Sequence, residues 1–342
     1  MTTMLVLAAI ITGAGPPAWR WDRLPSLPDK EGFAGPFAGS SRGILLVAGG
    51  ANFPGKKPWE GGKKVWHDAI FALDRPDGEW RIAGKLPRPL GYGVSVTHRE
   101  GVICVGGSDS ERHHAEAFRL EWVDGRVVIS TLPPLPGPVA NACGAMVGDS
   151  LYVAGGLDSP DATETLKTAY RIDLAAERPA WREIEPWAGS GRMLAVAASM
   201  DGMFWLAGGA DLVVGPGGKV ERRHMKDAFR YDPDRGWKRL GDLPRPVVGA
   251  PSPAPVDGSG FFLLGGDDGS KVGFSPPGRH PGFAREIVRL DRKAETWAEL
   301  GALPFSPRVT VPLVRWGDAW VIPGGEVRPG VRSPEVWSFS PR

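Results

Sequence analysis

The stretch LLVAGG, Leu45 to Gly50, is a short apolar run closed by two glycines. Alone it reads as a buried strand running into a turn, because glycine accepts backbone angles that other residues resist. The same form returns as VICVGG ending at Gly107, LYVAGG at Gly156, FWLAGG at Gly209, FFLLGG at Gly266 and WVIPGG at Gly325. Successive copies lie 49 to 59 residues apart. One structural unit is therefore repeated along the chain.

Each unit continues in the same way. A variable loop follows the glycines, then an alternating strand such as DAIFALD (Asp68–Asp74), TAYRIDL (Thr168–Leu174), DAFRYD (Asp227–Asp232) or EIVRLD (Glu286–Asp291). A tryptophan strand comes next, with Trp80, Trp181, Trp237 and Trp297 in equivalent places; Val127 and Val128 stand about there in the second unit. Proline turns such as KLPRP and DLPRP then lead into a strand of small residues. Four antiparallel strands per unit at a period of about 50 residues make propeller blades.

The sixth unit ends at VWSFSPR without its tryptophan strand, and AWRWDRLPSLP (Ala18–Pro28) has that pattern at the other end of the chain. The expected fold is all-β: a six-bladed propeller whose ring is closed by the N-terminal strand joining the C-terminal blade. Closure removes the exposed edges that would pair with other chains. This overrides the two-domain prior that 342 residues suggest. Residues 17–342 are expected to form one domain. Residues 1–16, with an apolar core from Met4 to Ile11 but no Lys or Arg before it, read as a secretory signal or a tail. The corresponding expectation is a periplasmic or secreted protein, otherwise a cytoplasmic one.

Composition narrows the function. The 48 glycines and 34 prolines indicate many turns, and a net charge of +2 without long runs of one sign argues against a nucleic-acid groove. The apolar N-terminal run is too short to span a bilayer. The two cysteines, Cys104 and Cys143, lie inside apolar runs and read as buried free thiols. No metal or cofactor is expected; His113 and His114 are adjacent and so point apart. Oligomeric state is not legible.

The glycine pair with its downstream tryptophan resembles the kelch repeat over essentially the whole chain, which specifies architecture and not activity. Loops after each glycine pair and loops entering each innermost strand should meet around the central channel. Just after the glycines sit Asn52, Asp109, Asp158, Asp211, Asp267 and Glu326. An aspartate there reads first as a turn cap. Arg88, Arg192, Arg245 and Arg308 precede innermost strands, where they could line the channel or tie blades together. WEGGKKVWHD (Trp59–Asp68) adds Glu60. Glu326 differs from the rest: in GGEVRPGVRSPE (Gly324–Glu335) it shares a stiff loop with Arg328 and Arg332. A neighbouring guanidinium can orient a carboxylate, or clamp a substrate's own carboxylate at two points.

EGFAGPFAGSSRGILLVAGGANF (Glu31–Phe53), EGGKK (Glu60–Lys64), GYGVS (Gly91–Ser95) and GGEVRPGVR (Gly324–Arg332) resemble the N-acetylneuraminate epimerases, or sialic acid mutarotases, and their cyclically permuted relatives. In the bacterial enzymes of that family the GE-x-(K/R)-PG-x-R loop precedes the GFAG stretch; here it follows at the end of the chain. A ring tolerates this, since moving the cut leaves ring neighbours unchanged. The resemblance implies that Glu326 is the proton acceptor and that Arg332 takes part in activity. It also marks a departure, because the family's arginine just before GYGVS is Leu90 here, with Arg88 two residues earlier.

The expected activity is interconversion of the α and β anomers of N-acetylneuraminate or a related sugar, by acid/base opening and closure of the ring. Glu326 would be the base and Arg332 the cation holding the sugar acid or the developing oxyanion. Asn52, Glu60, Arg88, Arg192, Arg245, Arg308 and Arg328 are the binding candidates. A radical-copper oxidase would need tyrosine and histidine ligands with a tyrosine–cysteine link, for which four tyrosines and two strand-embedded cysteines are poorly suited. A sialidase would show S-x-D-x-G-x-x-W boxes, which are absent. The alternative is a non-catalytic kelch propeller that binds a glycan or protein.

Overall fold

The computed structural model describes residues 19–342, so the signal or tail expected over residues 1–16 lies outside the described residues. Six four-stranded antiparallel sheets follow one another around a central axis. In the first blade, Phe37–Ser41, Ile44–Ala48, Ala69–Leu73 and Arg81–Lys85 run from the innermost strand to the outermost. The other blades repeat this order, and the innermost strands of neighbouring blades touch along the channel. In the first four blades these strands are rich in Ala, Gly, Ser and Val, which lets the sheets meet closely there. Buried Leu, Val, Phe and Ala from facing blades fill the spaces between sheets.

The glycine pairs join one blade to the next. Gly49 and Gly50 have φ of +65° and +87°, and a Cβ on Gly49 would stand 2.2 Å from the carbonyl oxygen of Leu90. In this conformation the Gly50 amide donates to that oxygen at 2.8 Å. Gly107, Gly156 and Gly209 make the same bond, each at 2.8 Å, to Val139, Arg192 and Val247. Outside, tryptophans tie four of the six blades to the one before: the indole nitrogens of Trp80, Trp181, Trp237 and Trp297 donate to Pro25, Pro133, Glu185 and Gly241 carbonyls. Each recurrent residue thus serves the junction between two blades.

The ring closes as expected. Trp19–Leu24 pairs antiparallel with Val336–Pro341, so the last blade takes its outer strand from the other end of the described chain. Trp19 is buried there against Phe262 and Phe339, with ring centroids 4.7 and 4.8 Å away.

A second ring lies at one end of the channel, two residues before each innermost strand or its equivalent. Gly35, Tyr92, Asn141, Leu194, Gly249 and Thr310 all have left-handed backbone, with φ between +52° and +68°. Tyr92 donates its amide to the Gly35 carbonyl, Asn141 to Tyr92, Leu194 to Asn141, Gly249 to Leu194, Thr310 to Gly249 and Gly35 to Thr310, at 2.6–2.8 Å. Six hydrogen bonds form a closed circle with one residue from each blade. A left-handed residue other than glycine costs about 1–2 kcal/mol, and four of the six are not glycine.

Candidate functional site

Short hairpins and loops rise above this circle. In the last blade, Glu326–Arg328 and Val331–Arg332 form a hairpin that turns at Pro329 and Gly330, and its register sets Glu326 directly across from Arg332. The spacing of six in the sequence is thereby converted into contact. Glu326 Oε1 accepts from the Gly330 amide at 2.6 Å and from Arg332 Nη1 at 3.0 Å. Among the described residues no donor holds Oε2.

Arg332 is itself fixed from three directions. Its Nη2 donates to the Tyr92 hydroxyl at 3.3 Å, and its guanidinium lies over the Phe53 ring, 4.7 Å from the centroid. Tyr92 is a member of the hydrogen-bonded circle, so the charged pair stands on a rigid base. Burial raises the Tyr92 pKa, with Arg332 opposing, and this keeps the phenol neutral.

These groups line a cavity of about 460 Å³, within the usual range for small-ligand sites. The first blade adds Phe53, Lys64 and Trp66, and the second adds Ser108, Asp109 and His113. Arg222 reaches in from the fourth blade on the hairpin Ala210–Val214 and Val220–His224. All four non-glycine members of the circle line it too: Tyr92, Asn141, Leu194 and Thr310. The three cations Lys64, Arg222 and Arg332 therefore share a chamber with the two carboxylates Glu326 and Asp109.

Local environment sets the charge states of several of these groups. Burial lowers the Lys64 pKa, and Arg332 and Arg222 lower it further while Glu326 opposes them. Burial also lowers His113, whose Nδ1 bonds the Leu157 carbonyl at 3.0 Å. Burial works against the charged form of Asp109, but the amides of Arg112 and Glu111 and the His114 ring outweigh it and bring the carboxyl to about 2. Among the described residues no group of three or more His, Cys, Asp or Glu side chains is placed to hold a metal.

Of the nine residues singled out in the sequence, Glu326 and Arg332 line this cavity and the other seven do not. Arg192 is fully buried, donating to the Gly208 carbonyl and to both oxygens of Asp227. Arg245 bonds the carbonyls of Gly265 and Glu286, and Arg308 bonds Glu335 at 2.6 Å. Arg88 turns to Glu116 and His114, so it does not occupy the cavity in place of an arginine at Leu90, which is buried in the core. These four arginines tie strands together instead of presenting charge to the cavity. Asn52 is buried, bonding Gly32, Asp29 and His67. Glu60 accepts from the Lys57 amide and closes its own exposed turn. Arg328 sits near the hairpin tip, away from the lining.

Tyr92, Asn141 and Arg222 were not singled out in the sequence, and Lys64 and His113 had no role there; Asp109, expected as a turn cap, accepts from the Glu111 and Arg112 amides and lines the cavity as well. One signal was available for the first two. In the repeat alignment Tyr92 and Asn141 fall where Gly35 and Gly249 stand, and a bulky residue in a glycine position asks for an explanation.

The fold and its cavity define a six-bladed propeller with a charged cup at one end of its channel. Sequence comparison makes the relationship narrower. Residues 12–129 match the family model described as N-acetylneuraminate epimerase. Proteins named N-acetylneuraminate epimerase align over part of the chain. The one from Yersinia enterocolitica is 40% identical over 126 residues, which is 32% of this chain and 31% of the relative. The Yersinia pestis (strain Pestoides F) protein is 44% identical over 112 residues, 29% and 28% of the two chains. The Salmonella arizonae protein is 42% identical over 115 residues, 31% and 29%. The alignment thus spans less than a third of these curated relatives. Blades 1 and 2 are related in sequence to the N-acetylneuraminate epimerases. This region carries Phe53, Lys64, Trp66, Tyr92, Asp109 and His113, whereas the hairpin of Glu326 and Arg332 lies beyond it.

Proposed function

We propose that this protein is a sugar mutarotase that interconverts the anomers of N-acetylneuraminate or a closely related sugar acid. The observation that carries the reading is the state of Glu326: one carboxylate oxygen is pinned by Arg332 and Gly330, and the other is left for a ligand. The names of the relatives of blades 1 and 2 support it, as does a chamber with three cations.

Opening a cyclic sugar requires removal of the anomeric hydroxyl proton and delivery of a proton to the ring oxygen. Glu326 is the base. Arg332 holds the sugar carboxylate or the oxygen that gains negative charge, and Tyr92 with Phe53 keeps the guanidinium plane in place. Preorganised donors of this sort need no rearrangement as charge develops. A positioned base typically contributes about 10²–10⁴-fold to the rate.

The test is proton NMR of freshly dissolved α-N-acetylneuraminate, followed to anomeric equilibrium with and without protein. Faster approach to the same endpoint, reduced about 10²-fold or more in a folded Glu326→Gln variant, is the expected result. An unchanged rate in that variant removes Glu326 as the base. No acceleration of any sugar acid by the wild type leaves the non-catalytic glycan-binding propeller as the better reading.

A further inference from the structure

The second proton in this reaction needs a donor, and the cavity wall narrows the choice. Arginine does not release a proton near neutral pH, which removes Arg222 and Arg332. Asp109 is ionised at any pH well above about 2. His113 has a lowered pKa, so near neutrality its ring lacks the extra proton. The Tyr92 phenol is a weaker acid than usual and already accepts a bond from Arg332.

Lys64 remains. It enters on the loop between Ala51–Asn52 and Val65–Trp66, is solvent-exposed as a residue, and lines the cavity. Its ammonium lies over two ring faces, 5.0 Å from the Tyr92 centroid and 5.2 Å from that of Trp66. Ring faces hold a cation without accepting its protons as an oxygen would. Among the described residues no carboxylate pairs with it. Desolvation of the ammonium against the cavity wall makes its proton more acidic than that of an ordinary lysine; of the charged groups that face it, Arg332 and Arg222 add to this and Glu326 opposes it.

We propose that Lys64 is the acid partner of Glu326, giving its proton to the ring oxygen of the sugar. This rests on the mutarotase reading of the same cavity. Glu326 takes the proton of the anomeric hydroxyl, the electron pair of that O–H bond becomes the second bond of a carbonyl, and the bond from the anomeric carbon to the ring oxygen breaks. The ring oxygen takes the Lys64 proton and becomes a hydroxyl, leaving a neutral amine. Rotation about the adjoining C–C bond presents the other carbonyl face. The hydroxyl then attacks that face, its proton returns to Lys64, and the carbonyl oxygen recovers its proton from Glu326. Both groups end as they began.

Lys64→Arg and Lys64→Met separate this role from simple attraction of an anion, because arginine keeps the charge but cannot give up the proton. The measurement is anomerisation rate against substrate concentration, from about pH 6 to 10, on variants shown by thermal melting to be folded. Both variants should lose about 10²-fold in kcat, while Lys64→Arg keeps KM within about threefold. The wild-type rate should fall at high pH as Lys64 deprotonates, and Lys64→Met should lack that fall. Wild-type kcat in Lys64→Arg overturns the assignment and leaves the mutarotase reading intact. A wild type inactive on every sugar acid takes down both.

Discussion

The amide of Gly35 donates to the carbonyl of Thr310 at 2.6 Å, and this bond closes the circle of six that forms the floor of the cavity. It joins the first blade to the last by a contact independent of the strand pairing between Trp19–Leu24 and Val336–Pro341. The four non-glycine members line the cavity, so backbone strain coincides with the candidate site. Strained backbone of this kind gathers where function needs a fixed arrangement.

Thr310 is the least comfortable member, because it is β-branched at φ +52°. Asparagine tolerates that conformation better. Thr310→Asn should raise stability by roughly 0.5–1 kcal/mol, read from denaturant midpoints at constant slope. A loss of stability would show that the threonine side chain contributes more than its backbone costs.

Arg192 tests the division between arginines that tie strands and arginines that line the cavity. Removing its guanidinium leaves Asp227 without its partner at 2.9 Å, and breaking a buried pair costs about 3–5 kcal/mol. Asp227 keeps some solvent contact, so Arg192→Met is expected near the lower end of that range. The double variant Arg192→Met, Asp227→Leu should recover much of the loss. Anomerisation kcat of the folded single variant should stay within about threefold of wild type, and a large drop in kcat would return Arg192 to the site.

Asp109 has a consequence for acid stability. Its folded pKa of about 2 lies below the ordinary aspartate value of about 3.9, so the folded state favours the charged form. The stabilisation is fully present above the unfolded pKa and is lost as pH falls through the folded one. Asp109→Asn should therefore cost stability at pH 6, with the difference from wild type shrinking between about pH 4 and 2. Urea midpoints across that range check it; a difference independent of pH would assign the loss to packing.

The sequence by itself determined the blade count, the order of strands and the closing of the ring. The signals behind them are short-range and repeated: glycine pairs at a regular interval accept the positive φ that Gly49 and Gly50 adopt, and alternation along Asp68–Asp74 marks one strand without reference to any other. That Glu326 has an arginine of its own loop for a neighbour was legible too, but the loop offered Arg328 and Arg332 alike; the family resemblance favoured Arg332, and the hairpin through Pro329 and Gly330 sets that residue across from Glu326. Only the tertiary structure decided which charges share the cavity. Arg88, Arg192, Arg245 and Arg308 occupy repeat positions that sequence cannot tell from lining positions, and each turns instead to partners such as Glu116, Asp227, the Gly265 carbonyl and Glu335. Lys64, Tyr92, Asp109 and Arg222 come from three different blades. They meet because the ring sets the blades at fixed angles about one axis, a relation that no local pattern encodes.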